Sequence, residues 1–272
     1  MASVSPASVA APSTIPMSSQ VARSAAAPLE DACDLRRSSP LQTLRWMLTL
    51  YGPIGTARLV LAKLRGQTGS HDAYAQWRDA LLDRHLNIET ASPVEVDDLG
   101  GRDDVRAHAV EYRPTSGVEA AAAIERLPID PAAFHFLDLG CGKGRVVQLA
   151  AALPFATVTG VEFSPELADA ARENLTRGRL RQRSGPCRIL TGDARATDWP
   201  DGPLVVYLYN PFGREILTAV EQRLAASLIA NPRPCYVLYA NPQQRAVFET
   251  PDWDRGETGD DWWAVYRWRE TP

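Results

Sequence analysis

The sequence predicts an α/β protein in which helices cover both faces of a mostly parallel β-sheet. Short apolar segments alternate with segments of helical character, and glycine or proline marks most of the turns between them. Uninterrupted apolar strands are typical of parallel sheets that are buried on both faces. The clearest unit begins with a predicted buried strand, whose apolar residues are Phe134, Phe136 and Leu137. Gly140, Gly142 and Gly144 then form a turn, and a helix opens at about Lys143.

This glycine turn is suited to binding a nucleoside-type cofactor through its backbone. Glycine has no Cβ, so a ligand can approach closely, and the helix start presents unpaired N–H groups. The spacing from Asp138 is D-x-G-x-G-x-G, whereas a dinucleotide fingerprint would need its third glycine where Arg145 stands. The carboxylate of Asp138 would repel a pyrophosphate and attract a cationic amino group. The pattern therefore favours S-adenosylmethionine over NAD or FAD.

Two further acids follow the next predicted strands. Glu162 ends the strand over 157–162, close to the spacing expected for a carboxylate that binds ribose hydroxyls. Ser164 and Pro165 then provide an N-cap and a first helical residue. A third strand over 187–190 leads into Asp193 and Ala194. The alternative for either acid alone is a solvated carboxylate at a strand end.

The fourth predicted strand, 204–209, runs into Asn210-Pro211-Phe212. This turn resembles the (Asp/Asn/Ser)-Pro-Pro-aromatic motif of amino methyltransferases, in which the polar side chain accepts a hydrogen bond from the target nitrogen. The resemblance implies that Asn210, Pro211, Phe212 and Tyr209 form the catalytic end of the site. Only one proline is present, so Phe212 comes one residue early. The alternative is a purely structural Asn-Pro turn.

The glycine turn resembles motif I of the class I S-adenosylmethionine-dependent methyltransferases. The wider order of motifs, from residues 83–90 to Tyr239-Ala240-Asn241-Pro242, resembles a bacterial group of these enzymes with unassigned substrate. That group is similar, more distantly, to lysine methyltransferases of the disruptor-of-telomeric-silencing type. The resemblance implies a Rossmann-like seven-stranded sheet with an antiparallel C-terminal edge strand. It also implies the following cofactor-binding residues: Tyr112, Thr115, Asp138, Gly140, Cys141, Gly142, Gly144, Glu162, Asp193 and Ala194.

The resemblance implies that Tyr112 and Thr115 close over the cofactor and that Asp193 meets the adenine amino group. The predicted reaction is N-methylation of an amine or a protein lysine. Two alternatives stay open: a small-molecule O-methyltransferase, and a catalytically silent S-adenosylmethionine-binding module. No metal is expected, because the four histidines all precede the glycine turn and none lies in a cluster with metal-ligand spacing.

Composition is consistent with a soluble enzyme. The 272 residues are 45% hydrophobic and 23% charged, which allows a sizeable core. The net charge of −4 argues against broad nucleic-acid binding. The four cysteines are scattered without a C-x-x-C pair, which favours a reducing cytoplasm over a disulfide framework.

Three regions are predicted along the chain. Residues 1–38 are rich in Ala, Ser and Pro and are expected to be a disordered tail. Residues 39–110 form a helical cap, and residues 111–272 form the methyltransferase domain. In the cap, one helix starts at Ser39-Pro40 and breaks at Gly52-Pro53, a second ends near residue 64, and a third spans about 71–86.

Leu41, Leu44, Leu48 and Tyr51 share one face of the first predicted helix, which in the simplest interpretation packs on the catalytic domain. Basic residues and the Gly-Pro break argue against a membrane span. Attachment of residues 41–64 to a membrane surface is the alternative.

Overall fold

A computed structural model describes residues 39–66, 71–95, 112–256 and 262–269. The predicted tail, residues 96–110 of the predicted cap and the predicted domain start at 111 lie outside these ranges. Seven strands form one sheet in the order β3-β2-β1-β4-β5-β7-β6. They are β1 His135–Leu139, β2 Thr157–Glu162, β3 Cys187–Thr191, β4 Leu204–Tyr209, β5 Cys235–Ala240, β6 Trp253–Gly256 and β7 Trp263–Trp268.

The sheet is the predicted Rossmann-like, mostly parallel one. Strands β1 to β5 pair in parallel, and β7 pairs antiparallel with β5. The prediction of an edge position for the C-terminal strand was wrong, because β6 pairs with its outer side. β6 has only four residues, with Asp254 and Arg255 at its centre. A segment this short and polar has no recognisable strand pattern.

Helices cover both faces of the sheet, as predicted. They are α1 Pro40–Leu64, α2 His71–Leu86, α3 Gly117–Glu125, α4 Arg145–Ala151, α5 Pro165–Arg177 and α6 Arg214–Ala230. One core cluster joins residues of α1 to α5 to one face of the sheet. A second cluster joins α6 to the opposite face. Neighbouring residues of a strand point to opposite faces, so Phe136 of β1 belongs to the first cluster and Leu137 to the second.

The break predicted in the first helix is a kink at Gly52. Its φ of 66° and ψ of 176° lie outside the helical region, and Pro53 restarts the helix. A Cβ at this position would lie 2.8 Å from the ring of His85 in α2. Glycine is therefore required both by the backbone angle and by the close packing of the two cap helices.

The face that packs in the first half of α1 differs from the predicted one. Tyr51 is buried, but three leucines of the predicted face are exposed: Leu41, Leu44 and Leu48. Trp46 and Leu50 are buried instead. The indole N–H of Trp46 donates to the Glu125 carboxylate of α3 at 2.8 Å, which anchors that side of the helix. Periodicity shows which residues share a face, but it does not show which face has a partner.

A buried ion cluster fastens the cap to the sheet. The guanidinium of Arg145, at the start of α4, lies 3.0 Å from Asp79 and 3.4 Å from Asp83, both in α2. It also donates to the hydroxyl of Thr90 at 2.7 Å and to the carbonyl of Thr115 at 2.8 Å. Asp83 in turn accepts from the backbone N–H and the hydroxyl of Thr90. One cationic side chain thus joins α2, the segment after it and the segment before α3.

Replacing Asp83 by alanine should destabilise the protein by about 3–5 kcal/mol, because it leaves part of a buried charge network without its partner. Urea unfolding monitored by tryptophan fluorescence measures the change. Asp169→Ala is the matched control, since Asp169 forms an exposed pair with Arg172 and should change stability by less than about 1 kcal/mol. Equal effects of the two variants would contradict a structural role for the cluster.

Candidate active site

One pocket opens at the carboxyl ends of the parallel strands, where ligands of open α/β sheets bind. Seven of the residues predicted to bind cofactor line it: Tyr112, Thr115, Asp138, Gly140, Cys141, Gly142 and Glu162. All four residues predicted for catalysis line it as well: Tyr209, Asn210, Pro211 and Phe212. The fold therefore brings two groups of residues, distant in sequence, to a single cavity.

The glycine turn is held between two side chains. Gly140 and Gly142 have φ of 74° and 52°, in the left-handed region that glycine tolerates best. A Cβ on Gly142 would lie 2.3 Å from the ring of Tyr112, and one on Gly140 would lie 2.4 Å from Pro211. Any larger residue would displace these walls of the pocket.

Gly144 has a structural position beside the pocket rather than in its lining. It precedes α4 with a φ of 78°, and its missing side chain leaves room for Ala171 of α5, 3.0 Å from where a Cβ would stand. The glycine therefore allows α4 and α5 to pack closely behind the turn. The helix begins at Arg145, two residues later than predicted.

Two buried carboxyl groups occupy the tips of β1 and β2. Glu162 accepts hydrogen bonds from the backbone N–H of Gly142 at 2.8 Å and of Ser164 at 3.0 Å. Asp138 is only 2% exposed. Its burial, together with the neighbouring charge of Glu162, raises the pKa of its carboxyl well above the usual value. Burial also raises the pKa of Glu162, although its backbone donors oppose that shift.

Asp193 and Ala194 are not among the lining residues. The carboxylate of Asp193 accepts from the backbone N–H of Arg195 at 2.8 Å and forms an ion pair with the same residue at 2.6 Å. Ala194 is buried against the α6 side of the sheet. The turn after β3 thus directs its acid to a local cap.

A cover over the glycine turn comes from the segments that flank the undescribed residues 96–111. Val94 and Tyr112 form an isolated antiparallel bridge, and the Tyr112 hydroxyl donates to the carbonyl of Thr90 at 2.9 Å. The Lys143 ammonium lies 5.6 Å from the centre of the Tyr112 ring and 2.8 Å from the Glu89 carboxylate. These contacts hold the aromatic ring against the turn.

The sequence predicts no role for two other lining residues, Arg145 and Asn241. Asn241 follows β5 as Asn210 follows β4, and the last residues of these strands, Tyr209 and Ala240, are register partners. Both asparagines have positive φ, 40° and 47°, which asparagine tolerates better than most residues. The repeated Asn-Pro after two neighbouring strands was the available signal. For Arg145 the sequence showed only an arginine in a predicted helix start, and its burial became apparent in the fold.

A family model described as "Methyltransferase domain" matches residues 136–225. This segment runs from β1 into α6 and contains the glycine turn, Glu162 and Asn210. The match identifies residues 136–225 as a methyltransferase domain, and the strand order is that of the S-adenosylmethionine-binding methyltransferase fold.

Individual relatives match only parts of the chain. Over 55 residues it is 47% identical to release factor glutamine methyltransferase from Vibrio cholerae, a stretch that is 19% of this chain and 19% of that protein. A predicted N6-adenine-specific DNA methylase from Listeria monocytogenes has 14% identity and a TM-score of 0.45, over 58% of this chain and 52% of that one. An RNA methyltransferase from Salinibacter ruber, in complex with S-adenosyl-L-homocysteine, has 24% identity and a TM-score of 0.39. The match covers 58% of this chain and 96% of that one.

The raised pKa of Asp138 predicts that the folded protein loses stability as the pH rises. An acid with a higher pKa in the folded state binds protons more tightly there, so stability falls as pH rises from the unfolded pKa to the folded one. Asp138→Asn should therefore be more stable than wild type above that range, by about 1.4 kcal/mol for each unit of difference. Urea unfolding of the cofactor-free protein from pH 4 to pH 8 measures this. The exposed Asp198 provides the control Asp198→Asn, which should follow the wild-type curve. If the stability of Asp138→Asn changed with pH as that of the wild type does, Asp138 would not be the source of the pH dependence.

Proposed function

We propose that this protein is an S-adenosylmethionine-dependent methyltransferase and that it transfers the methyl group to the nitrogen of an amine or of a protein lysine. The observation that carries the proposal is the position of Asn210. It lies at the carboxyl end of the central strand β4, lines the pocket that also contains Asp138 and Glu162, and stands beside Pro211 and Phe212. A side-chain amide there can accept a hydrogen bond from an incoming N–H group.

The residues of the cofactor end fit S-adenosylmethionine. Asp138 would face the amino group, whose positive charge lowers the cost of a buried carboxylate. Glu162 would accept from the ribose hydroxyls, since each carboxylate oxygen keeps a lone pair after its backbone bond. The space left by Gly140 and Gly142 would admit the ligand to the backbone, and Tyr112 and Thr115 would cover it. Asp193 has no part in this proposal, because its carboxylate is paired with Arg195.

Bound S-adenosylmethionine supplies a methyl group on a positively charged sulfur. The protein's contribution at the acceptor end is alignment and exclusion of water. The oxygen of Asn210 orients the acceptor nitrogen through its N–H, so that the lone pair points to the methyl carbon. Phe212, Pro211 and Tyr209 provide the apolar walls. The described lining contains no histidine. The acceptor amine would therefore enter in its neutral form, or a residue of the cap would take up its proton.

Two comparisons support nitrogen as the acceptor atom. The Vibrio cholerae relative is named as a glutamine methyltransferase. The order of sequence motifs is similar to that of the bacterial group with unassigned substrate and, more distantly, to lysine methyltransferases. A cytoplasmic location is part of the proposal and is supported by the free thiols of Cys141, Cys187 and Cys235.

Glu162→Ala should weaken S-adenosylmethionine binding by about 1.5–3 kcal/mol, the scale of hydrogen bonds to a charged group. This is a roughly 10- to 150-fold higher Kd in calorimetric titration. The exposed Glu173 gives the control Glu173→Ala, which should bind as the wild type does. Unchanged affinity in a folded Glu162→Ala protein would remove this residue from the cofactor site.

Asn210→Gly tests the acceptor end, because glycine keeps the positive φ while removing the amide. We expect methyl transfer to fall by on the order of 10²-fold with nearly unchanged cofactor affinity, as when alignment alone is lost. The assay follows label from methyl-labelled S-adenosylmethionine into a lysate of a deletion strain, separated by size. Asn87→Gly is the matched control, since Asn87 also has a positive φ, 58°, but lies at the end of α2.

Full activity of Asn210→Gly would contradict the proposal and favour O-methylation. Equal losses of cofactor affinity and turnover would make Asn210 a structural residue. Cofactor binding by the wild type without transfer to any component of the lysate would identify a silent module. Label in the protein fraction would favour a protein lysine, and label in the small-molecule fraction would favour a small amine.

A further inference from the structure

The outer surface of α1 is apolar along almost its whole length. In the described part of the chain, eleven large apolar side chains are exposed, and seven of them lie in this one helix. They are Leu41, Leu44, Leu48, Ile54, Val60, Leu61 and Leu64. Leu41 and Leu64, near the two ends, are 76% and 78% exposed. Contiguous apolar surface of this kind marks an interaction site in most proteins.

The exposed residues form a stripe opposite the packed side of the helix. Leu41, Leu44 and Leu48 are three and four residues apart, and Leu61 and Leu64 are three apart, so each set shares one side of its half of α1. The other side is buried against α2 and α3, through residues that include Trp46, Leu50, Leu59 and Ala62. A helix at the surface of a soluble domain normally has polar residues on its outer side. Here both sides are apolar, and only one has a partner in the described structure.

The charge of this region is entirely positive. Residues 39–66 contain four charged side chains, Arg45, Arg58, Lys63 and Arg65, and no acid, although the whole chain has a net charge of −4. All four are exposed, and Arg58, Lys63 and Arg65 lie in or just after the second half of α1. Their aliphatic stems can cover apolar surface while their charged ends reach outward. Arg45 also forms an ion pair with Glu125.

We propose that α1 binds the surface of an anionic phospholipid bilayer, with its leucine stripe among the acyl chains and its basic side chains at the lipid phosphates. An exposed apolar stripe with a purely basic border is typical of helices that lie in the plane of the interface. The helix lies on the membrane rather than through it, since no described helix is long and apolar enough to cross a bilayer. The proposal does not depend on the identity of the methyl acceptor.

The same charges disfavour a second copy of this chain as the partner. A two-fold contact through the stripe would place Arg58, Lys63 and Arg65 of one protomer against residues 39–66 of its partner. With no acid in residues 39–66 to pair with them, this contact would be repulsive. A negatively charged lipid surface attracts the same residues instead.

Vesicle flotation with the full chain tests the proposal. We expect binding to mixed phosphatidylcholine and phosphatidylglycerol vesicles, weaker binding as salt rises, and little binding to phosphatidylcholine alone. The double variant Leu61→Glu and Leu64→Glu should bind about tenfold more weakly or worse, because it places two carboxylates in the apolar stripe. Arg58→Gln with Lys63→Gln should lose the preference for anionic lipid and retain its fold.

Ile229→Glu is the matched control, since Ile229 is 71% exposed on α6, as Ile54 is on α1. It should bind vesicles as the wild type does. Circular dichroism and cofactor titration confirm that each variant is folded. Absence of vesicle binding by the wild type would overturn the proposal, as would equal loss in Ile229→Glu. Self-association in sedimentation experiments that Leu61→Glu abolishes, without vesicle binding, would assign the stripe to a second copy. Vesicle binding that survives both α1 variants would show that another part of the chain is responsible.

Discussion

The buried guanidinium of Arg145 is the interaction on which the arrangement of this protein depends. It begins α4 directly after the glycine turn and pairs with Asp79 and Asp83 of α2. The same group bonds to Thr90 and to the carbonyl of Thr115, the segments that place Tyr112 over the turn. A buried cation is costly unless it is paired, so the cap must dock in the orientation that supplies its two carboxylates. That orientation also leaves the leucine stripe of α1 facing outward.

The pocket also contains two buried acidic groups, Asp138 and Glu162. The acids paired with Arg145 are Asp79 and Asp83. Burial and the charge of Glu162 instead raise the pKa of Asp138. A ligand with a positive amino group stabilises the ionised form of such a carboxylate, so affinity for this ligand comes partly from relief of an unfavourable state. Burial of Asp138 therefore lowers the stability of the ligand-free protein at the proposed cofactor site, as is common at functional sites.

Much of the fold was predictable because its signals are local. The glycine turn, the strand tips at Asp138 and Glu162, the Ser164 cap and the Gly52 break each follow from short-range rules on backbone angles and capping. The edge position of β6 and the packed face of α1 depend on partners that are distant in sequence. The pairing of Asp193 with Arg195 depends on side-chain geometry. The packing of the strands and of α2 brings Asn241 and Arg145 to the pocket, although the Asn-Pro after β5 repeats the one after β4 in the sequence. A single sequence contains the residues of such contacts but not their pairing.

Hydrogen–deuterium exchange with and without S-adenosylmethionine measures whether the cap and the glycine turn form one unit. We expect slower exchange on binding in residues 140–146 and also in residues 88–95 and 112–116, which Arg145 and Tyr112 connect to the turn. The backbone N–H groups of Thr90 and Ala91, which donate to Asp83, are the most informative reporters. The paired strands β5 and β7 serve as the internal reference and should not change. Protection confined to residues 138–163, with the cap segments exchanging as before, would contradict the coupling.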